Sequence, residues 1–82
     1  MESFVLINKQ RNRIKKFKLF ISNLEQAKQL MEIEYGCVYK RSSQPVMKGS
    51  RIESIEAARG EYKQLLDEGW EKTSIFNSYF GN

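Results

Sequence analysis

Apolar and polar positions follow two different periods along this chain. Phe4-Val5-Leu6-Ile7 is a β-branched and aromatic run, and the polar stretch Asn8 to Asn12 reverses it. In the return segment Lys15, Phe17, Leu19 and Ile21 share one face, while Ile14, Lys16, Lys18 and Phe20 share the other. Residues 4–21 therefore read as a β-hairpin with Phe17, Leu19 and Ile21 turned to the core. Phe20 is left on a lysine-rich face, either covered by another segment or open to a partner.

The period then lengthens. Ser22-Asn23-Leu24-Glu25 has the form of a capping box, in which the serine hydroxyl accepts a free backbone N–H and the glutamate reaches back to the cap. Leu24, Ala27, Leu30 and Met31 recur at helical spacing and Gly36 supplies a left-handed stop, so a first helix is expected over about 23–35. Glu32 and Glu34 point apart on such a helix and do not make an acid–base pair. Cys37 to Arg41 reads as a strand with Cys37 a buried, inert thiol. Residues 42–50 read as a loop, with room for a short strand at Val46 and Met47.

The second helix is the clearest element, over about 55–68. Ser54 is its N-cap, and Ile55, Ala58, Tyr62, Leu65 and Leu66 form an apolar stripe. Gly69 stands at C′, and Trp70 at C″, where a Schellman motif sets the indole against Leu65. Gly60 falls on the face away from the stripe, and Arg59 flanks it. Burial contributes about 1.5–3 kcal/mol per Leu-sized side chain, which marks Leu65, Leu66 and Trp70 as anchors. The tail, 70–82, carries Phe76, Tyr79 and Phe80 as a last strand or a docking segment. The expectation is one α+β domain over 1–82, a small, mostly antiparallel sheet with two helices packed on one face.

Composition narrows the chemistry. Among 82 residues there is no histidine and one cysteine. No nitrogen and sulfur ligand set for zinc and no Ser–His or Cys–His pair can be assembled, so neither catalysis, a metal nor a cofactor is expected. A lone cysteine forms no internal disulfide, which fits an intracellular, cytoplasmic protein. The longest uninterrupted apolar run, Phe4 to Ile7, is far below the ~20 residues of a membrane span, and Met1-Glu2-Ser3 does not open a signal peptide.

Charge supplies the functional candidates. The chain holds 14 Lys and Arg against 10 acids, but residues 1–51 carry a net +7 and residues 52–82 a net −3. Lys9, Arg11, Arg13, Lys15, Lys16 and Lys18 fall together with no acid among them. Such lysines keep an edge strand soluble. They also form a field that steers an acidic protein surface, or a track for a phosphate backbone with an aromatic stacked on a base. The candidate contact residues are Arg11, Arg13, Lys16, Lys18, Phe20, Tyr39, Lys40 and Arg41. No RNP aromatic pair, Gly-x-x-Gly loop or finger spacing accompanies them.

The stretch Ala58-Arg59-Gly60-Glu61-Tyr62-Lys63-Gln64-Leu65-Leu66-Asp67-Glu68-Gly69-Trp70 resembles the Ala-Arg-x-x-aromatic-x-x-Leu-x-x-x-Gly-Trp ending of short uncharacterised proteins of cyanobacteria and their phages. The resemblance covers about a sixth of the chain and carries over no binding residue. It implies a small non-enzymatic regulator of a metabolic or photosynthetic enzyme, nitrite reductase in nitrogen assimilation being one example. The sequence reading is thus a non-catalytic interaction protein that binds a larger protein through its basic hairpin. The alternative is a small nucleic-acid-binding protein using the same surface.

Overall fold

The computed structural model describes residues 3–21, 29–40 and 44–73. Four antiparallel strands form a meander: β1 (Ser3–Ile7), β2 (Arg13–Ile21), β3 (Gln29–Cys37) and β4 (Val46–Ser54). Helix α1 (Ile55–Asp67) follows, and β5 (Glu71–Lys72) then pairs antiparallel with β1, so the sheet order is β4-β3-β2-β1-β5. The architecture is broadly α+β and mostly sheet, with one helix among the described residues.

The expected first helix is the main correction. Residues 29–37 are the strand β3, and the capping-box segment 22–28 lies outside the described residues. Within β3 the period is two: Met31 and Ile33 face α1, while Glu32 and Glu34 share the opposite face with Lys18 and Lys16 directly across from them. Burial of Ile33 under the helix and opposite charges at facing positions, worth about 0.2–1 kcal/mol each, both require a strand. Leu30 and Met31 fit either period, which let the helical spacing mislead.

Two further boundaries move for the same reason. The strand expected over 37–41 ends at Cys37, a free and half-buried thiol at the end of β3. The loop expected over 42–50 gives way at Val46 to β4, nine residues with alternating exposure. Gly36 stops no helix. It sits at a bulge where Gly36 faces Met47 and Tyr35 faces Gly49, leaving Lys48 without an opposite residue.

The core lies between α1 and one sheet face. Leu6, Phe17, Ile33, Ala58 and Leu65 are buried together, with Met31, Tyr62 and Trp70 packed at their margin. Phe17 meets Tyr62 edge to face, with ring centroids 5.3 Å apart. Leu66, expected as an anchor, is 40% exposed because it lies one position beyond the stripe of Ala58, Tyr62 and Leu65. A second cluster, Val5, Ile7 and Ile14, lies on the opposite face near the β1–β2 turn, with Val38 and Met47 packed against it.

Capping holds the helix at both ends. The Ser54 hydroxyl accepts the Ala57 N–H at 3.1 Å, and Glu56 in the first turn complements the helix dipole. At the other end Gly69 has φ +100°, its N–H donates to the Leu66 carbonyl, and the Trp70 N–H donates to the Leu65 carbonyl at 3.0 Å. This is the Schellman arrangement expected from the sequence, and it turns Trp70 back onto the core.

Glu61 fixes the helix over the sheet. Its carboxylate takes the Lys15 ammonium from β2 at 2.8 Å and the Arg51 guanidinium from β4, so it spans β3 between them. Arg51 also reaches Glu53 at 3.1 Å. Partial burial lowers the Lys15 pKa from its ordinary value; Arg51 adds to that shift and Glu68 opposes it. All four side chains keep some solvent contact, so each pair contributes about 1 kcal/mol or less.

Gly60 is the weak point of α1. It lies mid-helix, is exposed, and a Cβ placed there meets no neighbour within 4 Å. Gly60→Ala therefore raises stability by about 0.5–1 kcal/mol, through helix propensity alone. Thermal unfolding of the variant should show a midpoint several degrees higher.

Candidate functional site

The candidate site is built at one end of the sheet by two loops. In the β1–β2 turn the Asn8 side-chain carbonyl accepts the backbone N–H groups of Asn12 and Arg13, both at 2.9 Å, and its amide donates to the Asn12 side chain at 2.7 Å. The Arg11 N–H closes the turn onto the Asn8 carbonyl at 2.9 Å. The turn thus gets its rigidity from one asparagine, and its cations project from a fixed frame.

The second loop follows β3. The Val38 N–H donates to the Asn12 carbonyl at 2.9 Å, which ties the start of this loop to the first turn. Tyr39 is 48% exposed, and the Lys48 ammonium, from the unpaired bulge position, stands 5.9 Å from its ring centroid. Lys40 beside it is exposed. The described residues of segments 8–13 and 38–48 hold five Lys and Arg, namely Lys9, Arg11, Arg13, Lys40 and Lys48, and no acid.

Arg11 adopts φ 58°, alone among described non-glycine residues in having a positive φ. Glycine or asparagine occupies that region at less cost, and an arginine there gives up about 1 kcal/mol. A cation is therefore presented at the tip of the turn in a conformation that its own backbone disfavours.

The eight residues singled out from the sequence divide into groups. Arg11, Arg13, Tyr39 and Lys40 come together at the loop end. Arg41 lies outside the described residues. Lys16 and Lys18 are half-buried farther along β2, Lys18 about 17 Å from Arg13 at the usual rise per residue, facing Glu34 and Glu32. Their charge is locally balanced, so they do not extend the basic surface. Phe20 stands opposite Leu30 in the register; its side chain is outside the described set.

Sequence reading counted Lys9 in the basic cluster but not among the contact residues, and it missed Lys48. Lys9 lays its methylenes against Gly69, where a Cβ would come within 2.6 Å of the lysine Cε. Lys48 was hidden in the segment read as a loop. Beside the turn, an open groove of about 450 Å³ is lined by Asn8, Lys9, Gln10, Asn12 and Arg13 and, from the end of the helix, by Glu68 and Trp70. Among the described residues no group of three or more His, Cys, Asp or Glu is placed to hold a metal ion, and no helix is long and apolar enough to cross a membrane. Comparison of the chain with protein-family models, with curated proteins and with solved structures returned no match.

Proposed function

We propose that this is a non-catalytic interaction domain that docks through its cationic loop end onto an acidic surface of a larger protein. The observation that carries this reading is the Val38–Asn12 hydrogen bond, which joins two acid-free segments and sets Lys9, Arg11, Arg13, Lys40 and Lys48 at one end of the sheet. A field of one sign concentrated at one end steers encounter with an acidic patch, and the half-exposed Tyr39 supplies an aromatic contact to bury after docking. The resemblance over residues 58–70 adds the expectation that the partner is an enzyme or assembly under regulation.

A protein partner is favoured over nucleic acid by the strand face. A phosphate backbone is followed by an extended basic track with free aromatic platforms. Here Glu32 and Glu34 face the lysines that would continue the track, and Lys48 already stands by Tyr39.

The reading is tested by capture from native extract, with and without nuclease, with the wild type and with Arg11→Glu/Arg13→Glu/Lys40→Glu. The wild type should retain a stoichiometric protein, and the variant should lose about tenfold or more in affinity with an unchanged circular dichroism spectrum. Arg11→Asn should weaken binding while raising the unfolding midpoint, separating the binding role of this residue from a structural one. Recovery of nucleic acid that vanishes on nuclease treatment, with a steep dependence of affinity on salt, would overturn the proposal.

A further inference from the structure

The two edges of the sheet are unequal. One edge is β5, two residues long and charged, and the other is β4, nine residues long with no further strand beside it among the described residues. A short charged edge resists pairing, whereas a long one offers a row of unpaired backbone groups. The bulge at Tyr35 and Gly36 twists the first part of β4 away, so the regular stretch is Ser50 to Ser54.

That stretch is complementary to itself. Arg51 and Glu53 point to the helix side, and Ser50, Ile52 and Ser54 to the other, with Ile52 48% exposed. Two copies paired antiparallel about a two-fold axis normal to the sheet keep each residue on its own face, which excludes registers that mix the faces. Centring on Arg51 sets two guanidinium groups against each other. A register centred on Ser50 brings Ile52 against Lys48 at the bulge. With Ile52 on the axis, Arg51 faces Glu53 of the second copy, Glu53 faces its Arg51, and Ser50 faces its Ser54. Within one copy Arg51 and Glu53 already pair at 3.1 Å; at 38% and 36% exposed they have room to extend that pair to Glu53 and Arg51 of the second copy.

We infer that the chain forms a reversible homodimer through β4, with Ile52 opposite Ile52 and two reciprocal Arg51–Glu53 pairs joining the sheets into one of ten strands. Five paired residues a side place the contact at the small, transient end of interface sizes, so the dimer depends on concentration. The inference does not depend on the proposed function.

Sedimentation equilibrium of the full chain tests the assembly, and cysteine placement tests the register. The wild-type mass should rise from monomer towards dimer with concentration. Ile52→Lys, which opposes two like charges at a surface position, should hold it at the monomer while leaving the circular dichroism unchanged. In a Cys37→Ser background, Ile52→Cys should oxidise to a covalent dimer, since facing strand residues lie within disulfide reach. Ser50→Cys in the same background should not, because that position faces Ser54 of the second copy. A wild type that stays monomeric at every concentration overturns the inference. So does a dimer that survives Ile52→Lys, or one that crosslinks through position 50 and not through 52.

Discussion

Replacing Phe17 with alanine should cost about 3–5 kcal/mol, the largest loss expected from a single side chain among the described residues. Phe17 is 2% exposed, pairs with Phe4 and Ile33 on the flanking strands, and meets Tyr62 of the helix edge to face. Its removal leaves a cavity where sheet and helix meet, which few neighbours can fill without tilting α1. A domain of 82 residues has a total stability of about 4–12 kcal/mol at the usual value per residue, so the variant loses a quarter or more of it. Urea unfolding should show a much lower midpoint, while Phe17→Leu should cost under about 1.5 kcal/mol if it repacks. Trp70→Ala should do less harm than Phe17→Ala, because Trp70 packs at the margin of the cluster and keeps part of its surface in water. A larger loss at Trp70 would mean that the load is carried by the end of the helix and not by the middle of the sheet.

Gly36→Ala is the second large effect, expected at about 1–3 kcal/mol. A Cβ at this position would press on the Val46 carbonyl oxygen and stand 2.9 Å from the Met47 Cα. Those are backbone atoms of the neighbouring strand, and they yield only if the β3–β4 pairing opens at the bulge. Gly49 provides the control. A Cβ there would meet Tyr35, 2.6 Å from its Oη, but that is the far end of a side chain that can turn towards solvent. Urea unfolding should therefore rank Gly36→Ala well below Gly49→Ala, and amide shifts in the first variant should concentrate in β3 and β4. Equal losses at the two glycines would remove the assignment of Gly36 to a close backbone approach.

Much of this was legible in the residues. The first hairpin, Ser54 as N-cap and the Gly69–Trp70 ending could be read locally, because each rests on contacts between residues close in the chain. The character of β3 could not. Leu24, Ala27, Leu30 and Met31 satisfy helical spacing, and what decides for a strand is Lys16 and Lys18, more than ten residues away, facing Glu34 and Glu32. The same pairing sets Lys16 and Lys18, two of the six basic candidates, against acids: a lysine-rich strand looks like a patch until its neighbour's charges are known. At the loop end the reverse occurred. Arg11, Arg13, Tyr39 and Lys40 lie in two separate segments, and only the register of β2 on β3 brings them side by side.

The placing of β5 has a consequence for how the molecule closes and opens. The meander from β1 to β4 is made of neighbours in sequence and can zip up one hairpin at a time. β5 reaches β1 only after the chain has crossed the sheet as α1, and it is held by the pairings of Leu6 with Lys72 and Ile7 with Glu71 and by the Thr73 N–H on the Val5 carbonyl. That contact joins residues more than sixty positions apart with very few bonds, so its loop entropy is the highest in the fold and its return the smallest. It acts as a latch, the last part to form and the first to fray. When it lets go, the edge of β1 is bared while the four-strand meander and its helix-covered core remain.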